Sequence, residues 1–190
     1  IHDVSLIGLE GPGRTALLAS NPGSVIEVQS DATRSSLIQG LSLFSGEATD
    51  GGGVSLSAGS PTLRHVWIED NVATNRGGGI HGLGASPRLE HVVVYDNSAD
   101  LEAGGVYLRY GAPELFDVRI ESNGASNGRY GGIYLDSTTG TLVDLVVHSN
   151  SASGTCGGRC ISGGEPVIEG FDVWDNHAGT GGGVYLGYTD

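Results

Sequence analysis

Asparagine recurs at residues 71, 97, 123, 150 and 176, about every 26 residues, each time inside the same stretch of sequence. The five copies are TLRHVWIEDNVA (62 to 73), RLEHVVVYDNSA (88 to 99), ELFDVRIESNGA (114 to 125), TLVDLVVHSNSA (141 to 152) and VIEGFDVWDNHA (167 to 178). They share the pattern L-x-x-V-x-V-x-x-N-x-A. A glycine element precedes each copy: GGGVSL (51 to 56), GGGIHG (77 to 82), AGGVYL (103 to 108), YGGIYL (130 to 135) and a degenerate RCISGG (159 to 164), with GGGVYL (181 to 186) closing the series. A fixed period of this size restricts the chain to a solenoid, a propeller or an array.

Residue types choose among these. Leu63, Val66 and Ile68 stand at i, i+3 and i+5, which fits a bend followed by strand alternation rather than a 3.6-residue helix. Val, Ile and Tyr favour strands, and glycine triplets break helices. The 34 glycines in 190 residues far exceed the roughly 7% of ordinary chains. A propeller blade needs four strands in some 40 residues, and leucine-rich repeats carry a longer leucine pattern. The expected fold is therefore all-β, a right-handed parallel β-helix (β-solenoid) of roughly seven rungs spaced about 4.8 Å apart. It spans residues 1 to 190 as one domain, with irregular first rungs over 1 to 50 and regular rungs over 51 to 190.

In such a fold the repeat positions become physical columns. Leu63, Leu89, Leu115, Leu142 and Ile168 predict one inward column; Val66, Val92, Val118, Leu145 and Phe171 a second; Ile68, Val94, Ile120, Val147 and Val173 a third. Val54, Ile80, Val106, Ile133, Ile161 and Val184 predict a fourth, on a neighbouring sheet. Asn71, Asn97, Asn123, Asn150 and Asn176 predict an amide ladder at the strand turn, each side chain bonding its neighbours above and below. Leu41 and Leu43 continue the pattern upstream, with Gly46 in the Asn position; Ile26 and Val28 match the glycine element. Ile1, Val4 and Leu6 repeat the i, i+3, i+5 spacing, ahead of an irregular stretch containing Gly11, Pro12 and Gly13.

The pairing of GG-[IV] with a V-x-x-N strand end resembles the GGA-[ILV] and F-x-x-N repeats of bacterial polymorphic outer-membrane proteins and related secreted β-helix proteins. The resemblance implies an extracellular passenger or stalk used for adhesion and surface display.

Composition narrows the partners. A formal charge of −13 with every basic residue an arginine disfavours nucleic acid and anionic membrane surfaces, and no run of 18 apolar residues is present to span a bilayer. Cys156 and Cys160 lie in a turn that reads as slightly longer than its counterparts. A small disulfide-closed loop is the first expectation there, placing the chain in an oxidising, secreted or cell-surface setting.

Chemistry has to come from outward columns. One runs Ser55, His81, Tyr107, Tyr134, Ser162, Tyr185, with Tyr110 and Tyr188 beyond its edge; His81, Tyr107, Tyr134 and Tyr185 are candidates to present ring faces to sugars. A second runs His65, His91, Asp117, Asp144, Gly170, and a third Glu69, Tyr95, Glu121, His148, Trp174. Asp117 and Asp144 on adjacent rungs approach the separation of a retaining glycosidase pair, with His65 and His91 in reach for proton transfer. Asp70 above Asp96, and Asp117 above Asp144, place like charges together, where a weakly held surface calcium would relieve repulsion. No other cofactor or metal is expected. No cluster of three Asp, no G-H-G and no R-x-K accompanies these columns, and the VWIEDN fragment (66 to 71), loosely similar to a pectate-lyase signature, carries Asn71 where that signature has His.

The expectation is a non-catalytic extracellular structural or adhesive module. With no methionine and apolar strands at both ends, the chain reads as a segment of a longer β-helix or as a subunit stacking head to tail into a filament. The alternative is a carbohydrate-binding or polysaccharide-cleaving β-helix of lyase or glycosidase type.

Overall fold

The computed structural model describes residues 3 to 187. Ile1 and Tyr188 lie outside them. Among the described residues the strands form three sheets of ten, five and seven strands, and every strand pairing is parallel. Each sheet gains a strand per coil, about 26 residues apart, so the chain is a parallel β-solenoid of roughly seven turns, with no helix among the described residues.

The long-strand sheet carries the L-x-x-V-x-V segments: Thr62–Arg64 with Trp67–Glu69, then Arg88–Tyr95, Glu114–Glu121, Thr141–His148 and Val167–Trp174. Leu89 stands opposite both Leu63 and Leu115, Val92 opposite Val118, and Val94 opposite both Ile68 and Ile120, so the three predicted columns are the observed ones. Their central members are completely buried and form one continuous core. Parallel stacking places chemically similar side chains in each column, and burying one aliphatic side chain contributes about 1.5–3 kcal/mol. At the final coil the same column opens: Phe171 is 49% exposed where Val92 and Leu145 are sealed.

Each coil passes through left-handed backbone at several corners, and two of them flank the Val–Ile segment of the long-strand sheet. His65, His91, Asp117, Asp144 and Gly170 have φ between 49° and 62°, and Ser45, Asp70, Asp96, Ser122, Ser149 and Asp175 between 51° and 59°. Asp and His tolerate this region better than most residues, and Gly does so freely. The bend between the Leu and Val columns therefore explains the residue types of the outward His/Asp column. The glycine pairs serve a different need: a Cβ on Gly104 would lie 2.3 Å from the Gly124 carbonyl oxygen, so side chains are excluded where the corner packs on the coil.

The structure corrects the register at two places. In the glycine sheet Ile133 pairs with Arg159, and Leu135 with Ile161. The fourth column is therefore Val54, Ile80, Val106, Ile133, Arg159 and Val184, and Ile161 belongs to the Leu56, Leu108, Leu135, Leu186 column. The glycine element of that coil is CGGRCI (156 to 161), a regular copy, because Gly157 and Gly158 accept the Gly132 and Ile133 amides. Gly163 and Gly164, with φ of 67° and 75°, belong to the next turn. Arg159 is 5% exposed, stacks on Phe171 with 4.2 Å from its guanidinium carbon to the ring centre, and finds no acceptor for Nε or Nη1 among the described residues. The Cys156 turn is not longer than its counterparts; the extra residue lies in the same turn one coil earlier, between Asn123 and Ile133.

The second correction concerns the first coil. Leu6 pairs with Ile38 and Leu17 with Leu43, so Leu6 occupies the Leu63 column and Leu17 the Ile68 column. Val4 and Leu6 do not repeat the i, i+3, i+5 spacing; a loop over residues 8 to 15 interrupts the strand instead, and Leu9 at its tip is exposed.

Candidate functional site

The Asn column is the most complete polar structure in the molecule. Asn97 Oδ1 accepts from the backbone N–H and from Nδ2 of Asn71 at 3.1 and 2.9 Å, and the same double bond recurs from Asn97 to Asn123, Asn123 to Asn150 and Asn150 to Asn176. Each Nδ2 also donates to a backbone carbonyl of the coil above: Leu43, Ile68, Val94, Ile120 and Val147 in turn. Gly46 ends the ladder by donating its N–H to Asn71 Oδ1 at 2.9 Å. Asn71, Asn97, Asn123 and Asn150 are buried. Every polar atom these amides bring inside is matched, as burial requires.

At the opposite bend the side chains face outward. The imidazoles of His65 and His91 stack with centres 4.7 Å apart and planes 5° from parallel. His91 Nδ1 donates to Asp117 Oδ2 at 2.6 Å. Asp144 follows one coil further on, and all four are exposed. Beside the histidines lies a hollow of about 330 Å³, walled by Trp67, Gln39 and the 8-to-15 loop. A larger hollow, about 680 Å³, opens elsewhere, between Pro22–Glu27 and the corner near Glu47 and Asp50. Chemically the bend offers an imidazole held in one tautomer by a carboxylate. A glycosidase pair needs one carboxyl kept protonated by burial or charge, and Asp117 and Asp144 stand in open solvent.

The outer column next to this bend also ladders. His148 Nε2 lies 2.7 Å from Glu121 Oε2, and its ring stacks on Trp174 at 4.5 Å. Asp96 is held above the usual carboxylate range by burial, then by the neighbouring Asp70 and Glu121 charges. Among the described residues no group of three or more His, Cys, Asp or Glu side chains is gathered to hold a metal ion.

The glycine-sheet column differs from expectation. Its members are Ser55, His81, Tyr107, Tyr134, Cys160 and Tyr185, with Cys160 rather than Ser162 in register. Tyr107 and Tyr134 are only 3% and 4% exposed. Tyr107 is sandwiched between His81 and Tyr134, each at 5.3 Å, and Tyr134 lies flat on Tyr130 at 3.8 Å. With Ala103 and the disulfide-linked Cys156 and Cys160 they form a second, smaller apolar cluster outside the coil. Their faces are covered, so neither can receive a sugar ring; Tyr185, at 39% exposure, is more open. Burial pushes both phenols upward and His81 downward, the latter opposed in part by Asp50.

One feature escaped the column-by-column expectation. Arg34 and Arg88 both grip Glu114, Arg88 and Arg64 both grip Glu90, and the Arg88 guanidinium lies 4.7 Å from the Phe116 ring centre. Arg64 above Glu90, and Arg88 above Glu114, alternate in sign along two adjacent columns. That alternation was the available signal. Hydrogen bonding to Arg34 pulls the Glu114 carboxyl below its ordinary range, burial opposing; for Glu90 burial raises it but the bonds to Arg88 and Arg64 prevail.

Fold and ladder together define a class: a parallel β-solenoid repeat protein with a buried asparagine ladder. Comparison of the chain with protein-family models, curated proteins and solved structures finds no match. The resemblance to polymorphic outer-membrane protein repeats therefore rests on the short motifs alone. Among the described residues no helix is long and apolar enough to cross a membrane.

Proposed function

We propose that the chain is a non-catalytic structural module of a secreted or cell-surface protein, a stalk-like solenoid that holds outward columns at fixed spacing for adhesion. The carrying observation is that the residues most similar to catalytic groups have a backbone reason to be there. His65, His91, Asp117 and Asp144 all occupy the left-handed bend, whose conformation favours those residue types. The matched Asn ladder and the continuous aliphatic core support a structural role, and the disulfide supports an oxidising compartment. End-to-end stacking of the solenoid through parallel strand pairing belongs to the same proposal.

Incubation with acidic and neutral polysaccharides, assayed for reducing ends and unsaturated products, tests the catalytic half: the expected result is no turnover. Turnover abolished by Asp117→Asn or Asp144→Asn would replace this function with the glycosidase or lyase alternative. Sedimentation velocity and electron microscopy test assembly, where concentration-dependent rods are expected and a strictly monomeric particle would remove self-stacking. A glycan-binding version draws on Trp67, exposed beside the hollow at His65, and a glycan array reads it directly.

A further inference from the structure

The stacked histidines are not explained by the bend alone. Left-handed backbone favours Asp, Asn, His or Gly at each position, yet it does not require two imidazoles in consecutive coils, nor a carboxylate oriented on the second. We propose that His65 and His91 form a chelating site for a borderline transition-metal cation, with Cu(II) the preferred ion and Asp117 as the positioning residue.

Three observations carry this. Parallel pairing puts the two rings face to face, 4.7 Å between centres with planes 5° from parallel, one coil apart on an exposed bend. Metal–imidazole bonds are about 2.0–2.1 Å, so one cation can link two nitrogens up to roughly 4 Å apart. Binding requires the two stacked rings to rotate until their planes converge on the cation, a side-chain movement open to both because they are exposed. Second, Asp117 Oδ2 accepts from His91 Nδ1 at 2.6 Å. That bond leaves Nε2 of His91 as the lone-pair nitrogen, the carboxylate–histidine arrangement that orients metal-bound imidazoles and raises their basicity. Third, the site borders a hollow of about 330 Å³ whose wall includes Gln39 and Trp67, leaving room for water to complete the coordination.

Two imidazoles with open positions suit a cation that accepts water ligands and binds nitrogen strongly. Cu(II) heads the divalent affinity order for such donors, with Zn(II) and Ni(II) weaker. The site is separate from the adhesive role proposed above and stands or falls without it.

Titration of the intact chain with CuSO4 at neutral pH, followed by electron paramagnetic resonance and calorimetry, tests it. The expected result is a one-to-one species with superhyperfine coupling from two imidazole nitrogens. His65→Asn and His91→Asn keep a residue that tolerates the left-handed bend; each should abolish the two-nitrogen signal and weaken binding at least about tenfold. Asp117→Asn should retain the signal with affinity reduced about tenfold, and Asp117→Glu should restore part of it. His148→Ala and His177→Ala should change neither. Thermal melts of each variant establish that the fold is retained. A two-nitrogen signal that survives either His65→Asn or His91→Asn would overturn the site, as would coupling to a single nitrogen in the unmodified chain. Unchanged affinity in Asp117→Asn would overturn the positioning role.

Discussion

Of the left-handed bends in each coil, the two that flank the Val–Ile segment of the long-strand sheet carry opposite chemistries. At one, an Asp or Ser takes the strained conformation and the following Asn turns inward into a sealed amide ladder. At the other, His65, His91, Asp117, Asp144 and Gly170 take it themselves and face solvent. A buried polar side chain must be matched by its neighbours above and below, and an amide, with donor and acceptor on one group, is matched by a copy of itself. An exposed side chain is matched by water and needs only to tolerate the backbone. The inner bend is therefore uniform and the outer one free to vary, which makes the outer bend the place where function can be written.

The comparison is most severely tested at its buried side. Asn123→Leu leaves the Asn97 amide groups and the Val94 carbonyl without their partners. Each stranded buried group costs about 1–3 kcal/mol, so the loss in urea unfolding is expected to reach roughly 3 kcal/mol or more. A neutral result would mean that the ladder is decorative. Arg159 sharpens the rule from the other direction, being a buried polar side chain with no ladder. Arg159→Ile, which restores the Val/Ile column, should stabilise by about 1–3 kcal/mol and raise the melting temperature; a destabilised variant would show that the guanidinium stack on Phe171 outweighs its unmatched donors.

His81 tests partial burial. Burial holds its imidazole below the ordinary 6.5, so the folded state favours the neutral ring. The stability this implies is present above pH 6.5 and is lost as pH falls through the lower folded value. His81→Tyr, matching Tyr107 and Tyr134 in the column, should flatten that decline, seen as melting temperatures that converge above pH 7 and diverge near pH 5. The smallest effect is expected outside: Asp117→Asn should shift stability by no more than about 0.5 kcal/mol. A cost comparable to that of Asn123→Leu would erase the distinction between the bends.

Legibility followed the same division. The Leu63, Val66 and Ile68 columns and the five-rung Asn ladder could be read in advance because parallel coils convert a sequence period into vertical neighbours. The same logic extended to Gly46 in the Asn position and to Ile26 and Val28, while the structure added that the Gly46 amide closes the ladder. It failed where one residue broke the column: an arginine in a core position disguised CGGRCI and displaced Ile161 and Ser162 by two places. It failed again in the first coil, where the inserted loop separates Leu6 from Leu17. The bend itself was visible in retrospect, since H, H, D, D, G in one column is a list of residues that accept positive φ.

By itself the sequence determined which residue stands above which, and with that the coil, the core and the ladder, because the period is a one-dimensional property that stacking carries directly into space. Tertiary structure alone decided what lies beside each column. Tyr107 and Tyr134 are closed over by Tyr130, Ala103 and the Cys156–Cys160 corner, while His65 and His91 are left open beside a loop from the first coil. Those lateral contacts join segments with no fixed spacing between them, so no period records them.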